Sequence, residues 1–271
     1  MTVWVCATCG VEHADDQGVC PICADERQWV PADGQHWTTL DELAADGRRT
    51  RVRELESGLQ ELTVDPKVGI GQSAIVVVTG AGVVLWDPPG FVDDEAVQRI
   101  AALGDVLAIS SSHPHMFGVQ LEWSRRLGDA PVLVSEPNLD WVSRGGPAVR
   151  SHGDRHEIAS GLTLHRFGGH FPGSTVLHVQ AGADGRGVLL SSDTIHGNPD
   201  RTTVTFLRSY PNRIPLSPAV VQRIATAAEQ LEFDVLYDNF ARGIAGGARA
   251  AVRRSADRYI AWVSGEHDEL T

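Results

Sequence analysis

Three histidines and one aspartate follow short apolar runs, at places where loops are expected to leave strands. His113 and His115 stand one residue apart, His170 lies in a turn rich in Gly and Pro, and Asp193 follows a buried run. Neutral imidazoles hold catalytic zinc in proteins, and the open position on the ion takes water. The set therefore predicts a zinc site, with Asp193 as a fourth ligand or as the group that orients the water as a general base.

A second cluster of metal-binding side chains occupies the first 23 residues. It consists of two C-x-x-C pairs separated by ten residues: Cys6, Cys9, Cys20 and Cys23. A disulfide framework would spread along the chain, whereas two such pairs suit one tetrahedral ion. A segment of about 30 residues cannot build a stabilising core, so the metal would supply the folding energy. The prediction is structural zinc.

The cysteine cluster has three alternative interpretations. An iron site like that of rubredoxin is the main alternative, because four thiolates also suit iron. A redox-active dithiol is less favoured, since two matching pairs fit one metal better. His13 could compete as a ligand, but with four thiolates available it is expected to be a loop residue.

Charge and hydropathy limit the partners. The net charge is -12, and the segment 12–26 carries five acidic residues, so the release of counterions that drives nucleic-acid binding is lacking. The cysteine module is expected to serve docking or dimerisation, with a homodimer as one possibility. The apolar runs are too short to cross a bilayer, and residues 1–6 do not read as a secretory signal. The expectation is a cytoplasmic protein without a membrane partner that acts on a small molecule.

Alternation and periodicity predict strands and helices in both halves of the chain. A hairpin is expected over 73–87, with its turn at 80–82, and the charged stretch 46–57 is expected to be exposed. Thr39 and Glu42 form a capping box that opens a short helix. Further strands are expected at 106–110, 131–134, 162–166, 175–179, 188–190, 204–207 and 233–237, and helices at 93–103, 119–127, 218–231 and 247–263. This mixture fits two sheets flanked by helices.

The three loops with metal-binding residues resemble those of the metallo-β-lactamase superfamily. The first reads Ser112-His113-Pro114-His115, the second runs from Gly169 to Ser174, the third contains Asp193, and Asp87 resembles the structural aspartate after the opening hairpin. The match spans about residues 59–240. It implies an α/β protein with a four-layer αββα sandwich preceded by a small zinc-knuckle module. The implied domains are residues 1–31, a linker with a short helix over 32–58, and the metallo-β-lactamase-like domain over 59–271.

The chain departs from the family pattern at the second metal. Where the family continues its first motif with Asp and His, this chain has Phe117 and Gly118. The family's late histidine is expected near 238–240, and the sequence has none there. The resemblance therefore implies that His113, His115 and His170 hold the first metal, that Asp193 normally bridges both, and that a single zinc ion is bound.

Other polar residues are candidates for the work of the missing metal. Arg208 pairs bidentately with carboxylate or phosphate, and Tyr210 stands two residues further on. His196, three residues after Asp193, is a candidate ligand or acid/base. Asn239 and Arg242 lie in the loop where the missing histidine belongs.

The predicted function is a metal-dependent hydrolase that acts on an ester, thioester, lactone or amide. The first alternative is a binding or scaffold protein that kept the fold and lost the chemistry, since Phe117 and Gly118 replace ligands. The second alternative is an iron-dependent redox protein, because the same fold hosts di-iron flavoproteins. Their iron site, however, needs the ligands that this chain has lost, and the sequence has no visible flavin module.

Overall fold

The computed structural model describes residues 2–16 and 18–271. The chain divides into two compact units, residues 1–153 and 154–271. The domain bounds expected from the sequence stay a prediction. No helix among the described residues is long and apolar enough to cross a membrane.

The first unit begins with the four-cysteine segment and a small antiparallel sheet. Its strands and helices are β1 (Trp4–Cys6), β2 (Glu12–His13), α1 (Pro21–Ala24), β3 (Trp37–Thr39) and α2 (Leu40–Ala45). The strand order is β2-β1-β3. The capping box predicted for α2 is confirmed: the Thr39 side chain accepts from the Glu42 N–H, and the Glu42 carboxylate accepts from the Thr39 N–H.

A larger sheet follows, with seven strands in the described part of the first unit. They are β4 (Arg49–Glu56), β5 (Leu59–Asp65), β6 (Ala74–Thr79), β7 (Gly82–Trp86), β8 (Val106–Ser110), β9 (Val132–Ser135) and β10 (Val149–His152). The order is β10-β9-β8-β7-β6-β5-β4, antiparallel from β4 to β7 and parallel from β7 to β10. Helices α3 (Asp94–Ala101) and α4 (Gln120–Arg126) connect the parallel strands. Because β7 and β8 are parallel neighbours, the loops that follow them meet at one edge of the sheet.

The charged stretch 46–57 contains a strand that the sequence pattern did not predict. It forms β4, which pairs with β5 from Arg49 to Glu56. The strand lies at the edge of the sheet, and its arginines are largely exposed. Such a charged edge strand carries only a weak alternating apolar signal, which explains why it was missed.

The second unit contains the other main sheet. Its strands are β11 (Arg155–Ala159), β12 (Leu162–Arg166), β13 (Thr175–Val179), β14 (Val188–Leu190), β19 (Val235–Tyr237) and β20 (Gly243–Ile244), in that spatial order. Two hairpins lie between β14 and β19: β15 (His196–Gly197) with β16 (Val204–Thr205), and β17 (Leu207–Ser209) with β18 (Ile214–Pro215). The helices are α5 (Gly182–Gly185), α6 (Pro218–Glu229) and α7 (Ala248–Val263).

The single strand predicted over 204–207 is divided in the structure. It breaks between β16 and β17 at Phe206, whose ring is buried in the apolar core of the second unit. Strands β14 and β19 are parallel neighbours in the sheet. Residues that follow these two strands therefore lie at the same edge, which positions the site of this unit.

Candidate metal centres

The four cysteines converge as the spacing predicts. All four thiols are free and buried, and their Sγ atoms lie within 4.8 Å of one another. The Sγ–Sγ distances are 3.6 Å for Cys6–Cys23 and 3.8 Å for Cys9–Cys20. A tetrahedral ion with metal–sulfur bonds of about 2.3 Å places its sulfurs about 3.8 Å apart. The cluster therefore fits one S4-bound ion.

Two polar side chains surround this cluster. The Gln35 amide donates to Cys6 Sγ at 3.1 Å and accepts from the Cys20 N–H at 3.2 Å. His13 Nε2 lies 3.5 Å from Cys20 Sγ, and the ring packs edge-on against Trp37. The expectation that His13 is a loop residue was wrong: it lies in β2 and is fully buried. N–H donors of this kind stabilise negative charge on sulfur, as outer-shell partners do at metal sites.

His113, the first histidine of the pair in the first unit, is held by a short hydrogen-bond chain. The carboxylate of Asp87 accepts from the Ser112 N–H at 2.7 Å and from the Ser112 hydroxyl at 3.1 Å. Because that hydroxyl donates to Asp87, it accepts from His113 Nδ1, which lies 2.9 Å away. This assigns the proton to Nδ1 and leaves His113 Nε2 as the metal-binding nitrogen. His115 offers a donor atom within 4.8 Å of that of His113, and both rings are buried.

The loop after this pair leaves no room for a histidine at position 118, where the family has its next histidine ligand. Phe117 is buried in the apolar core. Gly118 has φ +51°, and a Cβ there would lie inside van der Waals contact of the Pro88 and Pro89 carbonyl oxygens. The Gly118 carbonyl itself accepts from the Glu12 N–H at 2.9 Å. A histidine at position 118 is therefore incompatible with this backbone.

The second unit brings His170 and Asp193 together. His170 Nδ1 lies 3.1 Å from the Leu207 carbonyl oxygen, which can only accept, so the proton is on Nδ1. His170 Nε2 lies 3.8 Å from Asp193 Oδ2. That distance is too long for a hydrogen bond and suits two ligands of one ion. Asp193 lies in a turn of 3-10 helix, Ser192–Thr194, that directly follows β14.

A second carboxylate, which the sequence interpretation did not identify, lies at the same edge. His196 Nδ1 is 3.5 Å from Asp193 Oδ1 and 3.5 Å from Asp238 Oδ2. Asp238 follows β19 and accepts from the Phe240 and Arg242 N–H groups. The sequence does contain a signal that could have identified Asp238, because this residue ends an apolar strand, as Asp193 does.

These charges perturb one another. Burial by itself lowers the pKa of His196, but the Asp193 carboxylate and the charge of Asp238 outweigh it, so the pKa is raised. Burial raises the pKa of Asp238, although the charge of His196 opposes this. Each buried charge is thus paired with an opposite one.

Tyr210 and Arg208 are the two remaining candidate site residues from the sequence. The Tyr210 hydroxyl donates to the carbonyl oxygen of Asp193 at 3.2 Å or of Thr205 at 3.3 Å, and its ring centroid is 4.6 Å from that of His196. Burial raises the pKa of Tyr210 well above its ordinary value. Tyr210 therefore braces the loop of Asp193. Arg208 is the middle residue of β17 and is partly buried.

No protein-family model matches this chain. It is 38% identical over 273 residues to the uncharacterized protein YmaE of Bacillus subtilis (strain 168), a match that covers 98% of each protein.

Several solved structures share the fold. The DIM-1 metallo-β-lactamase has a TM-score of 0.58 at 12% identity, covering 78% of this chain and 97% of that one. VMB-1 has a TM-score of 0.57 at 11% identity, covering 79% and 98%. A mutant metallo-β-lactamase from Cronobacter sakazakii has a TM-score of 0.51 at 19% identity, covering 81% and 99%. At such identities the likeness concerns the fold alone, and the predicted metallo-β-lactamase fold is confirmed.

Proposed function

Since the chain belongs to the same family as Bacillus subtilis YmaE and has the metallo-β-lactamase fold, we propose that it is a hydrolase dependent on a single zinc ion. The observation that carries the proposal is that hydrogen bonds orient the candidate histidine ligands. In each unit a buried histidine has its Nδ1 proton bonded to a fixed acceptor, Ser112 or the Leu207 carbonyl, so that Nε2 is the ring nitrogen without a proton and can act as a metal ligand. Metal-binding histidines are typically oriented in this way.

The proposed ligands are those that the family resemblance implies. His113, His115 and His170 hold the zinc ion, and Asp193 is a fourth ligand or the residue that orients the water. A bound zinc ion would polarise a substrate carbonyl and lower the pKa of water to about 7. The substrate class is an ester, thioester, lactone or amide of a small molecule.

The chain's own side chains take the remaining roles. Asp193 holds the attacking water as a general base or serves as a ligand, and its Oδ1 faces His196. His196, held by Asp193 and Asp238, is the group that donates a proton to the leaving atom. Arg208 pairs with an anionic part of the substrate, and Tyr210 keeps the Asp193 turn in place.

A single ion is favoured over two for steric and electrostatic reasons. The backbone of Pro88 and Pro89 fills the space that a side chain at position 118 would need. Asp238 stands where the family places its late histidine, and its carboxylate is already engaged with backbone N–H groups and His196. In this proposal His196 and Arg208 therefore replace a second cation: His196 protonates the leaving atom, and Arg208 pairs with an anionic part of the substrate.

Elemental analysis of purified protein and two sets of variants tests the proposal. The wild type is expected to bind one zinc ion at each centre. His170→Ala should lose the ion of the histidine site only, and Cys6→Ser with Cys9→Ser should lose the other only. His36→Ala, an exposed histidine outside both sites, is the matched control. Absence of metal outside the cysteine cluster would refute the hydrolase proposal.

Activity is tested on a panel of 4-nitrophenyl esters, thioesters, lactones and anilides. Hydrolysis that the His36→Ala control retains and His170→Ala loses supports the proposal. Zinc at the histidine site without turnover of any of these classes would favour the first alternative, a binding or scaffold protein. The blocked ligand position at Gly118 is the structural observation that supports this alternative. Iron with visible absorption would favour the redox alternative. A cytoplasmic location and a homodimer stay predictions.

A further inference from the structure

The cysteine module lies directly against the loop that carries the first histidine pair. The Glu12 N–H donates to the Gly118 carbonyl oxygen, three residues after His115. Gly10 packs on the backbones of Gly69 and Gly90 so closely that a Cβ at Gly90 would lie 2.6 Å from the Gly10 oxygen. This is a contact between backbones without side-chain spacers, which allows little independent movement.

The Glu12 side chain extends the contact to the next helix. Its carboxylate accepts from the Leu121 N–H in the first turn of α4 and forms an ion pair with Arg144. Glu12 is 3% exposed, so its carboxylate is shielded from water, whereas the Arg144 side chain is 22% exposed. Because α4 begins two residues after Gly118, one residue holds both the end of the histidine loop and the helix that follows it.

The conformation of residues 6–12 depends in turn on the cysteine cluster. The Gly10 N–H donates to the Cys6 carbonyl oxygen at 2.8 Å, and the Cys6 N–H donates to the Val11 carbonyl oxygen at 3.0 Å. This turn is the knuckle that presents Cys6 and Cys9 to the ion. Glu12 follows it directly, so an ion bound by the thiolates also fixes the position of Glu12.

We propose that Glu12 is a positioning residue through which the cysteine-bound ion holds the loop His113–Gly118 in its metal-binding conformation. Metal binding at the cysteines then raises the metal affinity of the histidine site. This rests on the proposed function, because it assumes that the histidine site binds zinc. Coupling between two binding sites is reciprocal, so an ion at the histidine site must raise the affinity of the cysteine site by the same factor.

The test measures the zinc affinity of the histidine site in the full chain, by competition with a chromophoric chelator. Glu12→Ala should weaken this affinity about tenfold, the scale of outer-shell substitutions, while the cysteine-bound zinc is retained. Glu12→Gln, which keeps an acceptor for the Leu121 N–H, should stay within about threefold of the wild type. Asp16→Ala, an exposed acidic residue of the same segment, is the control and should change nothing.

A spectroscopic measurement separates positioning from general destabilisation. Cobalt(II) placed at the histidine site should show a changed visible spectrum in Glu12→Ala and an unchanged one in Asp16→Ala. If Glu12→Ala does not fold, the reciprocal measurement decides: His115→Ala should weaken zinc binding at the cysteines by about the same tenfold factor. Equal affinities in the wild type and these variants would overturn the coupling and leave the hydrolase proposal standing. Failure of the wild type to bind zinc at the histidine site would overturn the proposed function itself.

Discussion

Replacing Glu12 with Gln should remove a pH dependence of stability that the buried carboxyl imposes. Burial raises the pKa of Glu12 to about 7, although the positive charge of Arg144 and the Leu121 N–H oppose this. The ordinary value, 4.5, applies to the unfolded chain. The folded state therefore binds the proton more tightly. Protonation of Glu12 therefore stabilises the folded state. This stabilisation is fully present below pH 4.5 and is lost as the pH rises through about 7.

The size of the effect follows from the interval between the two pKa values. At about 1.36 kcal/mol per pKa unit, it corresponds to about 3 kcal/mol, of which about 2.5 kcal/mol falls between pH 5 and pH 8. Glu12 is almost fully buried, so solvent screening does not reduce this figure much.

Urea unfolding at several pH values measures the effect as a difference. The free energy of unfolding of the wild type, minus that of Glu12→Gln, should fall by about 2.5 kcal/mol from pH 5 to pH 8, at constant zinc and reductant. Contributions of the thiolates and the other carboxyls are common to both proteins and cancel. Asp16→Asn should follow the wild type. Parallel curves for the wild type and Glu12→Gln would show that Glu12 ionises in the folded protein as it does in water, and would refute the burial argument.

Three further substitutions have defined outcomes. Gly118→His restores a family residue but should lower the free energy of unfolding by about 3 kcal/mol, because its Cβ meets the Pro88 carbonyl, and elemental analysis should find no additional zinc. Ser112→Ala removes the acceptor that orients His113 and should weaken zinc binding at the histidine site about tenfold in chelator competition. Asp93→Ala removes the cap of α3 and leaves the buried Thr50 N–H without its acceptor, so urea unfolding should show a loss of about 2 kcal/mol.

The sequence predicts the strands, helices and candidate metal ligands whose pattern lies within a short stretch of residues. Strand β8 ends at Ser110 as expected, because an apolar β-branched run stops at a polar loop. The candidate ligands are recognisable from residue type and spacing alone, and each of the two groups converges in the structure. Strand β4 was missed because its support comes from pairing with β5, a contact that its charged residues do not reveal.

Asp238 and Glu12 were missed for a related reason: their roles depend on contacts distant in sequence. Asp238 meets His196 across the neighbouring ends of β14 and β19, 42 residues apart in the chain. Glu12 was counted only as one of the five acidic residues of the segment 12–26, yet it is bonded to Leu121 and Arg144, more than 100 residues away. Composition reports the charge of such a residue and not its burial.

The Gly118 backbone connects the cysteine module with the position at which the family pattern has a histidine ligand of the second metal. A residue with a side chain at position 118 would force the Pro88–Pro89 backbone away and displace the carbonyl that Glu12 contacts. A histidine at position 118 is therefore incompatible with the backbone that the cysteine module contacts in this structure. Since the same contact continues into α4 through the Glu12 carboxylate, the proposed coupling has a continuous path from the cysteine module to the loop that carries His113 and His115. In that proposal the four-cysteine cluster supports the histidine site and is not an independent appendage.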